Sequence, residues 1–522
     1  MSRSTRRFLP ATVIWIALPA ALLQTASANP SLIPGTPGTA PDYFCTWNIQ
    51  GYVSSYTNND AQRNTLTETN LFGGGPLQGW TRFYPRIRQD LFFVMDDSWD
   101  VGFSNYVFGA DILSPVRFPS FASTGTEPEK LKRLNDAVRA AGWRAVGGWI
   151  CANKGGADGV NDHDFYVERL QWMNAAGWGY WKVDWGQHAD DAGWRRSLTD
   201  WAHTNAPKLL VEHALNWDCI RFADTFRTYD VESVTSIPST LDRVASALRF
   251  CADPQAGGII NCEDEATIGA ALGCAIGIMR HPLNGSMPNG RQDFAFPPVT
   301  RDLKNCLNEI ERGVLWHRVA PPFRVDGRVT VDTNKLEDTW CFHAGEGWVH
   351  TEPGAWSTNT APARIARGLP LPDVRLDGKE PPFVIASRNP NGVVSIATLG
   401  RTSSAGSSER DYRTPRADIS LDLGAVPRLI GVFGKYASLK FQFNQPLTGS
   451  TVLAQDILAR ESTDITSRVL IQGNTLTIPG AVIDSIGLQA SSPGDKSDPG
   501  LAIAIVQPHP QSAATTFQNQ TN

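Results

Sequence analysis

Residues 145–185 read AVGGWICANKGGADGVNDHDFYVERLQWMNAAGWGYWKVDW, and the order of patterns inside them decides the fold. The apolar run Ala145–Ile150 predicts a strand, the amphipathic stretch Asp164–Ala176 a helix, and Gly179–Val183 a second strand. A cluster of aromatic and charged residues stands at the end of that second run. Outward from this unit the alternation recurs. Strand-like runs fall at Phe44–Asn48, Leu91–Met95, Leu209–Val211, Phe226–Tyr229, Gly258–Ile260 and Ile276–Arg280. Before the third strand lies Glu129–Ala141, a helical pattern with a start signal. Thr126 is placed to cap it, Glu129 three residues on completes a capping box, and Pro128 falls in the first turn. Eight such runs over roughly 240 residues match the size of a (β/α)8 barrel, typically ~250 residues. An open doubly wound sheet is the alternative, and no GxGxxG or P-loop follows the first run to support it.

After Pro321-Pro322 the texture changes to short alternating runs separated by Gly, Pro, Asn and Asp, among them Phe383–Ala386, Val393–Thr398, Ile419–Leu423 and Leu501–Val506. That spacing predicts an antiparallel β-sandwich. The expected organisation is a leader over 1–28, the barrel over 29–325, the sandwich over 326–506 and a polar, disordered tail over 507–522. Composition agrees with a large globular chain: 522 residues, 41% apolar and 19% charged. Of the 17 Trp, none follows Trp356, so the two parts are built differently. A net charge of −5 with no basic block argues against a nucleic-acid partner.

Arg3, Arg6 and Arg7, the apolar stretch Phe8–Leu23 and Ala26-Ser27-Ala28 read as a secretory signal, so the mature chain is expected to be secreted or periplasmic, with no membrane attachment after cleavage. Eight Cys in such a compartment permit disulfides. Cys251 and Cys262, flanking a Pro/Gly loop, are the best single pair. The absence of CxxC and of HExxH leaves a metal site unsupported, and no cofactor is expected.

Barrel enzymes carry their chemistry at the C-terminal ends of the strands. The second run ends in Asp96-Asp97-Ser98-Trp99, where paired acids beside a Trp suit a sugar as well as they suit a turn. The fourth ends in Lys182-Val183-Asp184-Trp185. Strand alternation puts Lys182 and Asp184 on one face, where the lysine charge would keep Asp184 ionised as a nucleophile requires; a structural ion pair is the bland alternative. The sixth run leads to Arg227 and Asp230. Two carboxyl groups facing one bond are what glycoside cleavage needs, and Asp224 and Glu232 compete with Asp230 for the second place.

Several blocks in order resemble glycoside hydrolase family 27, the α-galactosidase-like members of clan D. They are Thr46-Trp47-Asn48, Asp96-Asp97-x-Trp99, Phe118-Pro119-Ser120, Ala141-Gly142-Trp143, Lys182-x-Asp184, Arg227 with Asp230, and Ile278-Met279-Arg280-His281-Pro282-Leu283. The resemblance covers roughly residues 44–285. It implies a retaining double displacement on α-galactosides, with Asp184 as nucleophile and Asp230 as acid/base. Asp96, Asp97, Lys182 and Arg227 would hold sugar hydroxyls, Trp47 would lie beneath the ring, and Trp149 would join them at the third strand end. Glu212 and Leu215 would form the specificity pair after the fifth strand, Leu215 filling the space a 2-acetamido group needs. The chain departs from the family at three points: Arg227 to Asp230 is three steps rather than four, the seventh-strand block reads Asn261-Cys262-Glu263-Asp264, and Trp185-Gly186 stands where a Cys is usual. The alternatives are another clan D pyranosidase, such as a β-L-arabinopyranosidase, and a secreted carbohydrate-binding protein without catalysis.

Overall fold

The structure, a computed structural model, describes residues 29–55, 58–103, 106–228, 236–251, 257–283, 305–341, 356–376, 380–402 and 412–508. The expected leader, residues 509–522 of the polar tail, Asp230 and Glu232 lie outside them. Eight parallel strands form the first unit: β1 (Tyr43–Cys45), β2 (Phe92–Met95), β3 (Ala145–Ile150), β4 (Tyr180–Val183), β5 (Leu210–His213), β6 (Thr225–Arg227), β7 (Ile259–Asn261) and β8 (Gly277–Ile278). Neighbours in sequence are neighbours in the sheet, and β8 pairs with β1. The circle closes through Ala275, just before β8. Its N–H donates to Ile260 O (2.8 Å) and its carbonyl accepts from Cys262 N–H (3.0 Å). The fold is the (β/α)8 barrel that the alternation predicts.

Local signals explain the helices around it. Thr126 and Glu129 form the capping box of the helix Glu127–Ala140, the Thr126 N–H donating to Glu129 Oε2 at 2.8 Å. Asn161 caps Asp162–Ala176, and Gly177 ends it in the left-handed conformation (φ 74°) that a side chain resists. Side chains alternate in and out along each strand. Tyr43, Cys45, Phe92, Val94, Ala145, Tyr180 and Met279 fill the interior as one packed cluster. The residues between them, such as Phe44, Phe93, Val146 and Trp181, join the larger core under the helices.

The C-terminal unit is a sandwich of an eight-stranded and a five-stranded sheet. Most neighbours are antiparallel. Three pairs run parallel: Arg364–Arg367 with Phe383–Arg388, Val394–Leu399 with Ile430–Phe433, and Asp418–Gly424 with Ser438–Phe443. In each case the chain visits the other sheet between the two strands, which is how a parallel neighbour is reached without a hairpin. The larger sheet is covered on both faces. Val384, Ala386, Ile396 and Val432 face the five-stranded sheet, while Phe383, Ile385, Ala397 and Phe433 join the core shared with the barrel. That is why Phe383–Arg388 reads as a continuous apolar run, while Ser438–Phe443 alternates.

One helix, Leu307–Trp316, ties the two units together. Arg312 makes a bidentate pair with Asp456 (Nε–Oδ1 and Nη2–Oδ2, both 3.0 Å), both side chains buried, and Trp316 donates its indole N–H to Ser395 Oγ at 2.8 Å. Among the described residues no disulfide forms. Cys262 keeps a buried thiol within 3.3 Å of the Ala275 and Glu265 carbonyls, which corrects the expected Cys251–Cys262 bridge. Removing one partner of a buried pair strands the other charge. Arg312→Met is therefore expected to lower unfolding stability by about 3–5 kcal/mol in urea titrations, and Arg312→Met with Asp456→Leu by clearly less.

Candidate active site

The side chains at the C-terminal strand ends meet around one carboxylate. Asp184 follows β4 directly. Its Oδ1 lies 3.1 Å from Arg227 Nη2 of β6, and its Oδ2 accepts from the Trp149 indole N–H of β3 at 3.0 Å. Burial alone would push the Asp184 carboxyl up, but Arg227, Lys182 and the Trp149 hydrogen bond outweigh it and hold the group below its ordinary value. The sequence assigns that task to Lys182. The structure gives the larger share to Arg227, because Lys182 Nζ donates instead to Asp96 Oδ2 at 2.7 Å.

Asp96 is fully engaged. Its Oδ2 also accepts from the Cys45 thiol (2.9 Å), and its Oδ1 from the Asp97 N–H (2.8 Å). Burial and the Asp96 charge push the Cys45 thiol up, so it stays protonated as the donor. Asp97 pairs with Arg63 Nε at 3.0 Å and accepts from Ser98 Oγ at 2.8 Å, yet burial still raises its pKa to about 6. Trp47 starts the helix Trp47–Tyr52 rather than ending β1, and is half-buried beside the barrel interior.

Behind Asp184 a closed circuit fixes its backbone. Arg195 Nη2 donates to the Asp184 carbonyl at 2.6 Å, and Nη1 lies 3.1 Å from His213 Nδ1. A guanidinium only donates, so Nδ1 accepts and the ring proton sits on Nε2, 2.8 Å from Thr199 Oγ1. The Thr199 hydroxyl then donates to the Arg195 carbonyl at 3.0 Å. Burial and the Arg195 charge push the His213 pKa down, consistent with a neutral ring.

Three placements differ from the expectation. Glu212 does not reach the mouth. The strand runs on to His213, so Glu212 points into the barrel, fully buried. Tyr43 OH (3.1 Å) donates to its Oε1, and Tyr180 OH (2.8 Å) and Asn261 Nδ2 (2.7 Å) donate to its Oε2. Its other neighbour is Arg227, Nε to Oε1 3.5 Å, so it supports the guanidinium from below. Trp99 offers no platform either. It is fully buried against Trp178 and donates its indole N–H to Trp149 O at 2.8 Å. Asp224 lies at the start of β6, the opposite end of the barrel, accepting from Val211 N–H (2.9 Å) and pairing with His203 (3.1 Å). It cannot act with Asp184. Leu215 does sit in the loop after β5, half-buried, with φ 72°.

Ser98 (φ 86°), Leu215 and Glu263 (φ 57°) all hold left-handed backbone without being glycine, and all three follow a strand end at the mouth. Strained backbone concentrates where function imposes geometry. Arg63 and Arg195 have no signal in the sequence, because each reaches the site from a helix rather than a strand end; Cys45 and Glu263 stand at strand ends, where the sequence assigns them no role. Glu263, after β7, is buried with Oε1 3.8 Å from Arg227 Nε. Among the described residues no group of three or more His, Cys, Asp or Glu is arranged to hold a metal ion.

No family model and no curated protein matches the sequence. Among solved structures, a β-L-arabinopyranosidase of glycoside hydrolase family 27 from Geobacillus stearothermophilus is 10% identical, aligning over 91% of this chain and 97% of its own, with a TM-score of 0.38. A proposed α-galactosidase from Bacteroides fragilis is 12% identical over 63% of this chain and 78% of its own (TM-score 0.36). A proposed α-N-acetylgalactosaminidase from Bacillus halodurans is 9% identical over 92% and 100% (TM-score 0.35). These likenesses are distant, and the reading of the site rests on its own geometry.

The buried acids give the protein an acid-favoured stability. Asp97, Asp264 and Asp100 are each raised by burial to about 6, and Asp111, whose N–H donates to Asp100 Oδ2 at 3.0 Å, is raised further. A carboxyl raised above its unfolded value of ~3.9 contributes its stability below that value and loses it as pH climbs through the folded pKa. His213, held neutral, acts the other way below ~6.5, but the four carboxyls outnumber it. The melting temperature is thus expected to be higher at pH 5 than at pH 8 by calorimetry, and Asp111→Asn to flatten the slope.

Proposed function

We propose that this protein is an exported retaining glycosidase that hydrolyses α-galactosides by double displacement, Asp184 attacking the anomeric carbon and Asp230 serving as acid and then base. The observation that carries the reading is the state of Asp184. A carboxylate at the mouth of a barrel, kept ionised by Arg227 and oriented by the Trp149 indole, is a prepared nucleophile. In the first step its oxygen bonds to the anomeric carbon while the acid gives its proton to the departing oxygen. In the second, water takes the place of the leaving group, the same residue removes its proton, and Asp184 is released with configuration retained. This chemistry calls for about 5–5.5 Å between the two carboxyl groups.

The other residues have separable parts. The buried Asp96–Lys182 pair and Asp97 stand at the ends of β2 and of β4, which Asp184 follows, and on this reading they are the charged partners of the sugar's hydroxyls. Glu212 keeps Arg227 in place from beneath, so of the expected specificity pair only Leu215 is left to face a C2 substituent. Galactose over its 2-acetamido derivative therefore rests on that side chain and on the family resemblance. Export rests on the leader-like residues 1–28.

A panel of aryl α- and β-glycosides tests the reading. Wild-type protein is expected to release the aryl group from the α-galactoside, with the α-anomer of the sugar appearing first by NMR. Asp184→Asn should lose at least about 10³-fold in kcat. Absence of turnover on every glycoside, or an Asp184→Asn variant with wild-type rates, would reject it.

A further inference from the structure

Beyond Asp184 the site continues as a strip of aromatic rings. Trp149, which holds Asp184, lies 5.4 Å from Trp185, ring centre to ring centre; Trp185 lies 5.1 Å from Phe108, and Phe108 stacks on Tyr106 at 5.7 Å with 8° between planes. Exposure rises outward along the chain: Lys182 is buried, Asp184 partly exposed, and Trp185 38% exposed. Val107 beside it is 41% exposed. Arg63 lies over Phe108 (4.8 Å) and Tyr106 (5.6 Å) while its Nε holds Asp97 at 3.0 Å, so one cation ties these two rings to the Asp97 carboxylate.

The strip is held rigidly by backbone. Ala152 N–H donates to Trp185 O (2.9 Å), His188 N–H to Ala152 O (3.2 Å), and Gly155 N–H to Gly109 O (2.9 Å), joining the loops after β2, β3 and β4. A Cβ at Gly186 would stand 2.7 Å from Ala152 backbone, and one at Gly109 2.2 Å from the Asn153 carbonyl, so both glycines are required by the close approach. Trp185 is exposed and Tyr106 and Phe108 are half-buried, and an aromatic surface held in place beside a reactive carboxylate is a binding surface whose ordering cost is already met.

We propose that Trp185, Phe108 and Tyr106 form the leaving-group subsite, which takes the face of a second pyranose ring, so that the substrate is an oligosaccharide or glycan end. The inference rests on the glycosidase reading above. The floor of the barrel below Arg227 is filled by Glu212, Tyr43 and Tyr180, so the sugar whose bond breaks has its place above them on Asp96, Asp97 and Lys182. Among the described residues the strip is the exposed aromatic surface next to Asp184, and it is where we place the substituent of that sugar. The C–H face of a pyranose packs on indole and phenyl faces, and Arg63 beside these rings is placed to donate to its hydroxyls.

The test compares two substrates with the same first sugar: α-D-galactosyl fluoride, whose leaving group has no ring, and α-D-galactosyl-(1→6)-D-glucose. Trp185→Ala is expected to lower kcat/KM on the disaccharide at least tenfold more than on the fluoride, mainly through KM, and Trp185→Phe to restore most of it. Equal losses on both substrates overturn the subsite and leave the glycosidase reading standing. Saturation-transfer NMR of the Asp184→Asn protein with the disaccharide gives a readout free of turnover. Transfer to both rings, with the glucose signal lost on adding Trp185→Ala, supports the subsite; transfer confined to galactose overturns it alone. No transfer to either ring overturns the subsite and the proposed function together. The backbone carbonyl of residue 185 survives either substitution, and an unchanged melting temperature checks that the loops keep their place.

Discussion

The guanidinium of Arg227 is the charge on which the mouth of the barrel depends. It is almost wholly shielded from solvent, which is costly for a cation unless carboxylates surround it. Asp184 and Glu263 do so from the strand ends after β4 and β7, and Glu212 from inside β5. The dependence runs both ways. Without the arginine, three buried carboxylates would face one another and take up protons; without Glu212 and Glu263, the arginine would pair wholly with Asp184 and blunt it. The arrangement leaves Asp184 ionised while sharing its counter-charge, and the Tyr43, Tyr180 and Asn261 bonds to Glu212 fix the geometry from below.

Much of the scaffold is legible in the chain because each barrel strand buries both faces and so appears as an apolar run with small breaks at its ends. All eight runs fall on the observed strands to within a few residues. The errors have the same origin. An apolar-run reading stops at Val211, because Glu212 and His213 are polar, yet the strand continues through both. One more pleat turns an apparent mouth residue into an interior one. At β1 the opposite happens: Trp47 looks like a strand end, but the helix Trp47–Tyr52 has already begun.

The site divides along similar lines. Lys182, Asp184 and Arg227 are legible because strand parity fixes their direction. Arg63 and Arg195 are not, since each arrives from a helix and depends on tertiary approach alone. Trp99 misleads for a physical reason: a Trp next to acids suits a sugar, but the same ring fills the gap left by Gly148 and packs on Trp178. Trp185-Gly186, by contrast, makes structural sense. The glycine lets the loops after β3 and β4 touch backbone to backbone, joined by the Ala152 N–H to Trp185 O hydrogen bond.

The larger sheet of the sandwich, with Phe383, Ile385, Ala397 and Phe433 turned toward the barrel, bears on how such a chain can be inherited and rearranged. A module that recombines freely needs an outer surface of its own. Here one face of the sheet belongs to its neighbour, and cutting between the units would leave it as a broad greasy plane in water, with Arg312 or Asp456 stranded at its rim. The two parts are therefore a single heritable unit, and shuffling at the middle of this chain is not tolerated.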